Sequence, residues 1–304
     1  MTYQNLKSLH LCLMFATLLL VGCASDPVRV PSSEPLQVAQ IEPKKPLKIG
    51  LVLGGGAARG FAHIGVIQVL EEAGIHPSLV VGTSAGSLVA AFYASGKTGI
   101  QLQKIAESME EATFADWTLP IFSRGMLRGE ALARYVSAQV NGRLIENMPL
   151  PLGIVATDLN SGQGVLFQRG DVATAVRASS AVPAVFQPVK ISGHEYVDGG
   201  LVSPVPVRYA RQMGAELIIA VDISSAPEGN AAIDTLQVLM QTFTIMIKSI
   251  NNFELREADV VVRPALIGVA SSDFGARQRS IEAGRVAMRA LLPKLLNAIS
   301  GHKR

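Results

Sequence analysis

A serine stands between two glycines in the segment Gly82-Thr83-Ser84-Ala85-Gly86. An apolar run over residues 79–81 precedes this segment, and a run typical of a helix follows it over residues 87–94. The order of strand, sharp turn and helix is typical of a nucleophile elbow, where the serine hydroxyl projects from the turn. Gly82 and Gly86 suit that turn because strand and helix must pass closely there. The same five residues also occur by chance in unrelated chains, so Ser84 needs chemical partners to be a candidate nucleophile.

A serine hydroxyl is a poor nucleophile until a base takes its proton. The histidines after Ser84 are His194, in a predicted hairpin turn, and His302, in the C-terminal tail, so neither is well placed. Asp198 lies directly before two glycines, where a predicted strand ends. A carboxylate there could accept the serine proton, especially if burial raised its pKa. The alternative for Asp198 is the commoner role of a residue in an Asp-Gly turn.

A second glycine-rich turn, Gly54-Gly55-Gly56-Ala57-Ala58-Arg59-Gly60, lies between a predicted strand and a predicted helix. Attack by a serine creates an oxyanion that needs hydrogen-bond donors. Backbone amides without side chains, at the start of a helix, suit that role, so this turn is a candidate oxyanion hole. A dinucleotide-binding loop is the alternative, but Arg59 occupies the position of its third glycine, which argues against it.

Segments typical of strands and of helices alternate from residue 47 onward. Strands are predicted over 48–53, 79–81, 152–157, 164–167, 217–221 and 260–262, and helices over 60–73, 86–95, 171–179, 233–255 and 278–296. This alternation predicts an α/β sandwich around a mostly parallel sheet. One domain over 47–300 is the simplest partition. The aromatic segment 114–122 is predicted to be core under a loop, with a lid or a membrane-contact loop as the alternatives.

Three motifs together resemble the patatin-like phospholipases, and among them the bacterial branch related to neuropathy target esterase. The motifs are Gly54-Gly55-Gly56-Ala57-Ala58-Arg59-Gly60, Gly82-Thr83-Ser84-Ala85-Gly86 and Asp198-Gly199-Gly200. The resemblance implies a patatin-like three-layer α/β/α sandwich and acyl esters such as phospholipids or lysophospholipids as substrates. It implies no cofactor and no metal. The site residues that it implies are Ser84 as nucleophile, Asp198 as base, Gly54, Gly55 and Gly56 as the oxyanion hole, and Arg59 as the residue that orients it. Ala57 departs from the pattern, because many members carry a fourth glycine there.

The composition narrows the function classes. The chain has 304 residues, 49% of them hydrophobic, and a formal net charge of only +3, which gives no support to a nucleic-acid partner. Its two cysteines, Cys12 and Cys23, both precede the predicted domain, so that domain has no disulfide and no cysteine metal site. The five histidines are scattered without the spacing of a zinc hydrolase.

The N-terminal residues 1–22 are predicted to be a lipoprotein signal peptide. A short apolar run ends in Leu20-Val21-Gly22-Cys23, which resembles the lipobox of bacterial lipoproteins, where the cysteine becomes acylated. The residue after that cysteine is Ala24 rather than an aspartate, and the resemblance to bacterial lipoproteins then implies sorting to the outer membrane, with the domain facing the periplasm. Residues 23–46, rich in proline, are predicted to be a tether. The alternatives are an ordinary signal peptide or an uncleaved anchor.

Three functions are compatible with these residues. The first is a serine acyl hydrolase that acts on membrane lipid through an acyl-enzyme at Ser84. The second is an acyltransferase with the same pair, in which an alcohol replaces water in the second step. The third is a lipoprotein without catalysis whose glycine turn binds a phosphate or nucleotide.

Overall fold

The computed structural model describes residues 46–110, 116, 124–226 and 234–302. The predictions for the signal peptide, the lipidated cysteine and nearly all of the tether and of segment 114–122 lie outside these residues. The chain from Pro46 to Arg304 is one compact unit. Within the described ranges, no helix has the length and apolar character needed to cross a membrane.

Ten strands and eight α-helices lie in the described residues. The strands are β1 Ile49–Leu53, β2 Leu79–Thr83, β3 Gly125–Leu127, β4 Leu152–Asp158, β5 Gly164–Phe167, β6 Ala184–Phe186, β7 Val189–Ile191, β8 His194–Asp198, β9 Leu217–Val221 and β10 Val260–Val262. The helices are α1 Phe61–Glu72, α2 Ala85–Ala94, α3 Gly99–Glu107, α4 Glu130–Val140, α5 Val172–Ser179, α6 Val207–Gln212, α7 Thr235–Glu254 and α8 Arg277–His302. Each predicted strand and helix has its counterpart among them.

The main sheet has the strand order β10-β9-β1-β2-β4-β8-β7, with β5 also paired to β4. The pairs from β10 through to β4 are parallel, whereas β5, β8 and β7 join in antiparallel pairs. A small separate sheet pairs β3 with β6. This mixed sheet with helices confirms the predicted α/β class. The carboxyl ends of β1 and β2 lie side by side, which brings the two glycine-rich turns to one edge.

Helices cover both faces of the sheet. Leu51 and Leu53 point to one face, where they pack in a core with apolar residues of α1, α2 and α8. Val52 points to the other face and packs with α6 residues such as Val207 and Ala210. Alternate side chains of a buried parallel strand serve two cores in this way, which explains why β1 is apolar throughout. The arrangement is a three-layer sandwich.

Helix α8 runs further than the sequence pattern predicts. It continues to His302 and contains Pro293 within its length. Proline removes one backbone donor from a helix, but the long helix is fixed by packing against α1. Glycines make that packing close, since a Cβ at Gly284 would stand 2.0 Å from the Ala62 carbonyl oxygen.

Candidate active site

Ser84 occupies a strained turn between β2 and α2. Its backbone has φ 53° and ψ −125°, a conformation that residues with a side chain rarely adopt and that costs on the order of 1–3 kcal/mol. Neighbouring serines hold the turn: the Ser84 amide donates to Ser179 Oγ at 2.9 Å, and Ser87 Oγ donates to the Ser84 carbonyl at 2.6 Å. Ser179 Oγ in turn donates to the Val155 carbonyl at 2.5 Å. The turn is therefore tied to the centre of the sheet.

The motif glycines of this turn are in close contact with backbone. A Cβ at Gly82 would lie 2.4 Å from the Gly86 oxygen, and one at Gly86 would lie 2.0 Å from the Leu53 oxygen. Contacts this short leave no room for a side chain at either position. The backbones of strand β2, helix α2 and the end of β1 therefore pack directly against one another. This is the geometry that the sequence predicts for an elbow.

Asp198 ends β8 and is buried against Ser84. Its Oδ1 accepts a hydrogen bond from the Gly200 amide at 2.7 Å, and its carboxyl group lines the same cavity as Ser84. Desolvation raises the pKa of the Asp198 carboxyl from 3.8 to about 6, although the nearby Ser84 side chain and the Gly200 amide act in the opposite direction. Gly199 keeps the turn closed, because a Cβ there would lie 2.2 Å from the Val155 oxygen.

The glycine turn after β1 lies beside Ser84. A Cβ at Gly55 would stand 3.2 Å from the Ser84 Cβ. The amides of Gly54 and Gly55 are already used, since they donate to the carbonyls of Val221 at 3.0 Å and Pro204 at 2.9 Å. These two amides are therefore engaged in shaping the turn, whereas the sequence predicts them as oxyanion donors together with Gly56.

Three other backbone amides border Ser84. Within the described part of the chain, the amides of Gly56, Ala57 and Ala85 have no hydrogen-bond partner. Ala57 has φ 48°, in the left-handed region that favours glycine, which explains the glycine expected at this position. The absence of a partner leaves these amides available as donors.

Arg59 is buried and holds the end of the glycine turn in place. Its Nε donates to the Ile223 carbonyl at 2.8 Å, and its terminal nitrogens donate to the same carbonyl and to Ser225 Oγ. Desolvation lowers the pKa of the guanidinium, and Asp222 opposes that shift. Gly56 fits beneath this contact, because a Cβ there would lie 2.8 Å from Ile223 Cδ1. The guanidinium thus contacts the segment that follows β9, and it lines neither of the cavities that reach Ser84.

His63 supports the same turn from below. It is fully buried on α1, and its Nε2 lies 2.8 Å from the Gly54 carbonyl oxygen. Desolvation lowers the pKa of His63 from 6.5 to about 4, so the ring is neutral at pH 7 and its Nε2–H donates to Gly54. Its Nδ1 is buried without a partner among the described residues. The hydrogen-bond partner of His63 becomes evident only in the fold.

Asp158 and His194 form an acid–histidine pair that lies away from Ser84. His194 Nδ1 is 2.8 Å from Asp158 Oδ2, at the start of β8 and the end of β4. Asp158 also accepts hydrogen bonds from two amides of the turn that follows it, and the one from Ser161 is the largest cause that lowers the pKa of its carboxyl. Neither residue lines a cavity that reaches Ser84. The pair fixes a hairpin and a turn.

Two cavities meet at Ser84. The first, of about 390 Å³, runs between α2, α3 and α4 and is lined almost entirely by apolar residues, among them Phe61, Leu88, Ala106 and Leu132. The second, of about 470 Å³, contains Asp198 and Gly56 and is closed on one side by α7. In the described residues, no group of three histidine, cysteine or acidic side chains could hold a metal ion. The site can place an acyl chain in the first cavity with its carbonyl carbon at Ser84.

Residues 51–211, more than half of the chain, match the family model of the patatin-like phospholipases. The protein therefore belongs to the patatin-like phospholipase family. An uncharacterized NTE family protein of Mycobacterium tuberculosis is 36% identical over 203 residues, which cover 66% of this chain and 56% of that protein. The human patatin-like phospholipase domain-containing protein 6 is 37% identical over 188 residues, which cover 59% of this chain and 14% of that protein. Family membership supports a lipid hydrolase.

A solved structure supports the fold. The structure of VipD from Legionella pneumophila has a TM-score of 0.57 and 16% identity, over 82% of this chain and 67% of that chain. At this identity, the likeness concerns the fold alone. The chain spans 56% of the length of the mycobacterial relatives that it matches. The family match over residues 51–211 covers the glycine turn, the elbow at Ser84 and Asp198.

Proposed function

We propose that the protein is a serine acyl hydrolase of the phospholipase A, lysophospholipase or esterase type, with Ser84 as nucleophile and Asp198 as general base. One observation carries this proposal: a buried carboxyl group with a pKa of about 6 lies in the same cavity as a serine at a strained turn, close enough for that serine to affect its pKa. A carboxylate with that pKa is ionised at pH 7 and is more basic than an exposed aspartate, so it suits proton abstraction.

The reaction proceeds in two halves. Asp198 takes the hydroxyl proton while Ser84 Oγ attacks the ester carbonyl carbon, and the carbonyl electron pair moves to the oxygen as an oxyanion. Collapse of this intermediate breaks the bond to the leaving alcohol, which takes the proton from Asp198. Water then attacks the acyl-enzyme and gives its proton to Asp198. The second collapse releases the fatty acid and returns that proton to Ser84.

The oxyanion would be bound by the backbone amides of Gly56, Ala57 and Ala85. Each is without a partner among the described residues and borders a cavity that contains Ser84. The amide of Ala85 also starts helix α2, so the positive end of that helix faces the developing charge. Gly54, Gly55, Arg59 and His63 act through the turn, which they hold in position.

The acyl chain would occupy the apolar cavity of about 390 Å³. Such a cavity binds hydrocarbon because burial removes apolar surface from water. It offers few polar groups to bind a nucleotide, which disfavours a role of the glycine turn in nucleotide binding. We also propose that an acylated Cys23 anchors the chain at the outer membrane, on the periplasmic side, so that substrate lipid is close to the site.

The test is hydrolysis of dispersed short-chain and long-chain acyl esters. We expect Ser84→Ala and Asp198→Asn to lower kcat/KM by about 10³-fold or more while folding persists. Asp158→Asn and His194→Ala are matched controls, since they remove the acid–histidine pair that lies away from Ser84, and we expect both to retain activity. Unchanged turnover in Ser84→Ala or Asp198→Asn would reject the role assigned to that residue.

A further inference from the structure

Helix α7 exposes an unusual amount of apolar surface. Over its 20 residues only Lys248 and Glu254 are charged, and Glu254 is buried. Large apolar side chains on it face solvent, including Ile245 with 51% and Phe253 with 68% of its surface exposed. A surface helix usually presents polar residues to water, so this face is suited to an apolar or amphipathic partner.

One row of these side chains runs along the helix beside the active-site cavity. Leu239, Met246 and Phe253 follow one another at intervals of seven residues, which places them on one side of the helix. We call these three residues the α7 stripe. Met246 also lines the cavity that contains Ser84 and Asp198. The stripe is therefore continuous with the inner wall of the cavity.

The helix is fixed in this orientation by its C-terminal end. Asn251 Nδ2 lies 3.4 Å from Asp222 Oδ1, just after β9, and 3.3 Å from Ser224 Oγ. Ser203 Oγ donates to Glu254 Oε1 at 2.5 Å. These buried contacts hold the polar side of α7 against the carboxyl end of the sheet, so the stripe stays directed away from it.

The charges around the stripe suit a lipid surface. The Arg256 guanidinium lies 5.3 Å from the centre of the Phe253 ring, and both side chains are exposed. An aromatic ring with a cation beside it matches the boundary between acyl chains and anionic headgroups. Between Thr235 and Phe253 helix α7 carries no acidic residue, and the acidic groups at its two ends are the N-cap Asp234 and the buried Glu254.

We propose that the α7 stripe docks on the surface of a phospholipid bilayer and opens the second cavity toward it. A lipid that leaves the bilayer then reaches Ser84 along the apolar side of α7 without crossing water. The choice of lipid as the partner rests on the proposed function. The ability of the α7 stripe to bind an apolar surface depends only on the exposed side chains of the helix. The stripe would lie in the plane of the interface, as amphipathic helices at membrane surfaces do.

A fluorescence experiment tests the docking without turnover. Residues 24–304 contain no cysteine, so Cys12→Ser and Cys23→Ser in the full chain give a background free of thiols and of the predicted acyl anchor. In that background, with Ser84→Ala, an environment-sensitive dye is placed at Leu239→Cys, Phe253→Cys or Val286→Cys. Val286 is the control, being exposed on α8 on the other face of the sheet.

We expect vesicles of phosphatidylcholine and phosphatidylglycerol to shift the dye emission to the blue at positions 239 and 253 and not at 286. Nitroxide-labelled lipid should quench the same two positions. Equal responses at all three positions, or none, overturn the proposal. Emission that is already blue-shifted without vesicles and depends on protein concentration indicates a second copy on the stripe, and this also overturns it.

An activity experiment separates docking from catalysis. With Ser84 present, Leu239→Asp and Phe253→Asp should lower hydrolysis of vesicle lipid by about tenfold or more, since a charge at the interface opposes binding. Hydrolysis of a dispersed short-chain ester should stay unchanged, and Val286→Asp should retain both activities. Equal loss on both substrates overturns the docking role. A dye response without hydrolysis of either substrate by the unsubstituted chain rejects the proposed function and leaves the docking intact.

Discussion

Ser84 and Asp198 meet because two strands flank the same central strand in matching register. On one side of β4, Thr83, which precedes Ser84, pairs with Val155. On the other side of β4, Asp198 pairs with Ala156, the residue after Val155. Neighbouring strands lie about 4.8 Å apart, so the ends of β2 and β8 approach across one strand. The proximity of the two side chains in one cavity follows from this register.

The pH dependence of activity should report the Asp198 carboxyl group. Only its ionised form can accept the Ser84 proton, and burial raises its pKa to about 6. We expect kcat/KM for a soluble ester to fall on the acid side with a midpoint near pH 6, by about tenfold for each further pH unit. A midpoint near 4, the usual value for an exposed aspartate, would contradict the assignment.

Replacement of Asp198 should stabilise the fold while it removes activity. Its pKa is higher in the folded chain than in the unfolded chain, so the folded chain binds the proton more tightly. The free energy of unfolding therefore falls as pH rises from 3.8 to about 6. Asp198→Asn cannot ionise and can still accept a hydrogen bond from Gly200. We expect it to raise the free energy of unfolding by up to about 3 kcal/mol at pH 7.

Urea unfolding at two pH values checks this explanation. The gain of Asp198→Asn over the unsubstituted chain should be small near pH 4 and large at about pH 8, since the carboxylate is ionised only at the higher value. Asp158→Asn is the matched control, because the pKa of the Asp158 carboxyl is lowered in the folded chain whereas that of Asp198 is raised. Hydrogen bonds lower the pKa of that carboxyl, so its loss should not stabilise the chain at neutral pH.

The sequence predicts the residues of the site better than their contacts. Ser84 and Asp198 are recognisable because local rules act on them: glycines two positions from a serine, and an aspartate before a glycine pair. Whether an amide is available to an oxyanion is not a local property. Gly54 and Gly55 donate to carbonyls of Val221 and Pro204, and only the folded sheet brings these residues together.

The elements that the sequence pattern missed are short or carry weak signals. The sequence pattern predicts none of the helices α3, α4 and α6, although Thr98 and Gln101 form a capping box that is recognisable as Thr-x-x-Gln. Strands β3 and β6 have three residues each and, among the described residues, pair with one another alone, so they carry almost no periodicity. The pattern predicts the long helix α7, but its exposure depends on tertiary contacts.

Ala57→Gly should stabilise the glycine turn. Ala57 has φ 48°, a conformation that costs an alanine about 1–2 kcal/mol and a glycine almost nothing. Glycine also increases the entropy of the unfolded chain, so we expect a net gain in the free energy of unfolding of up to about 1 kcal/mol. Ala58→Gly is the matched control in the same turn, and we expect it to destabilise. If Ala57→Gly destabilises the chain as much as Ala58→Gly does, strain at this position is not significant.

Gly284→Ala should push apart helices α1 and α8, which pack together on the face of the sheet that carries Leu51 and Leu53. A Cβ at Gly284 would stand 2.0 Å from the Ala62 oxygen, and backbone cannot give way as a side chain can. We expect a loss of about 3 kcal/mol in the free energy of unfolding. Gly301→Ala, in the same helix with nothing within 4 Å, should change stability by less than about 1 kcal/mol. Equal effects of the two substitutions in thermal unfolding would show that the close crossing does not limit stability.

Filling the first cavity should shorten the acyl chain that the site accepts. Ala106 is buried on α3 and lines the apolar cavity that reaches Ser84. A larger side chain there occupies space that a long chain would need and leaves room for a short one. We expect Ala106→Val and Ala106→Phe to lower the ratio of kcat/KM for long-chain over short-chain esters progressively, by about tenfold or more for phenylalanine. Thermal unfolding shows whether each variant remains folded. A parallel loss on both esters in a folded variant would mean that the acyl chain lies elsewhere, and the cavity beside α7 would then be the remaining candidate.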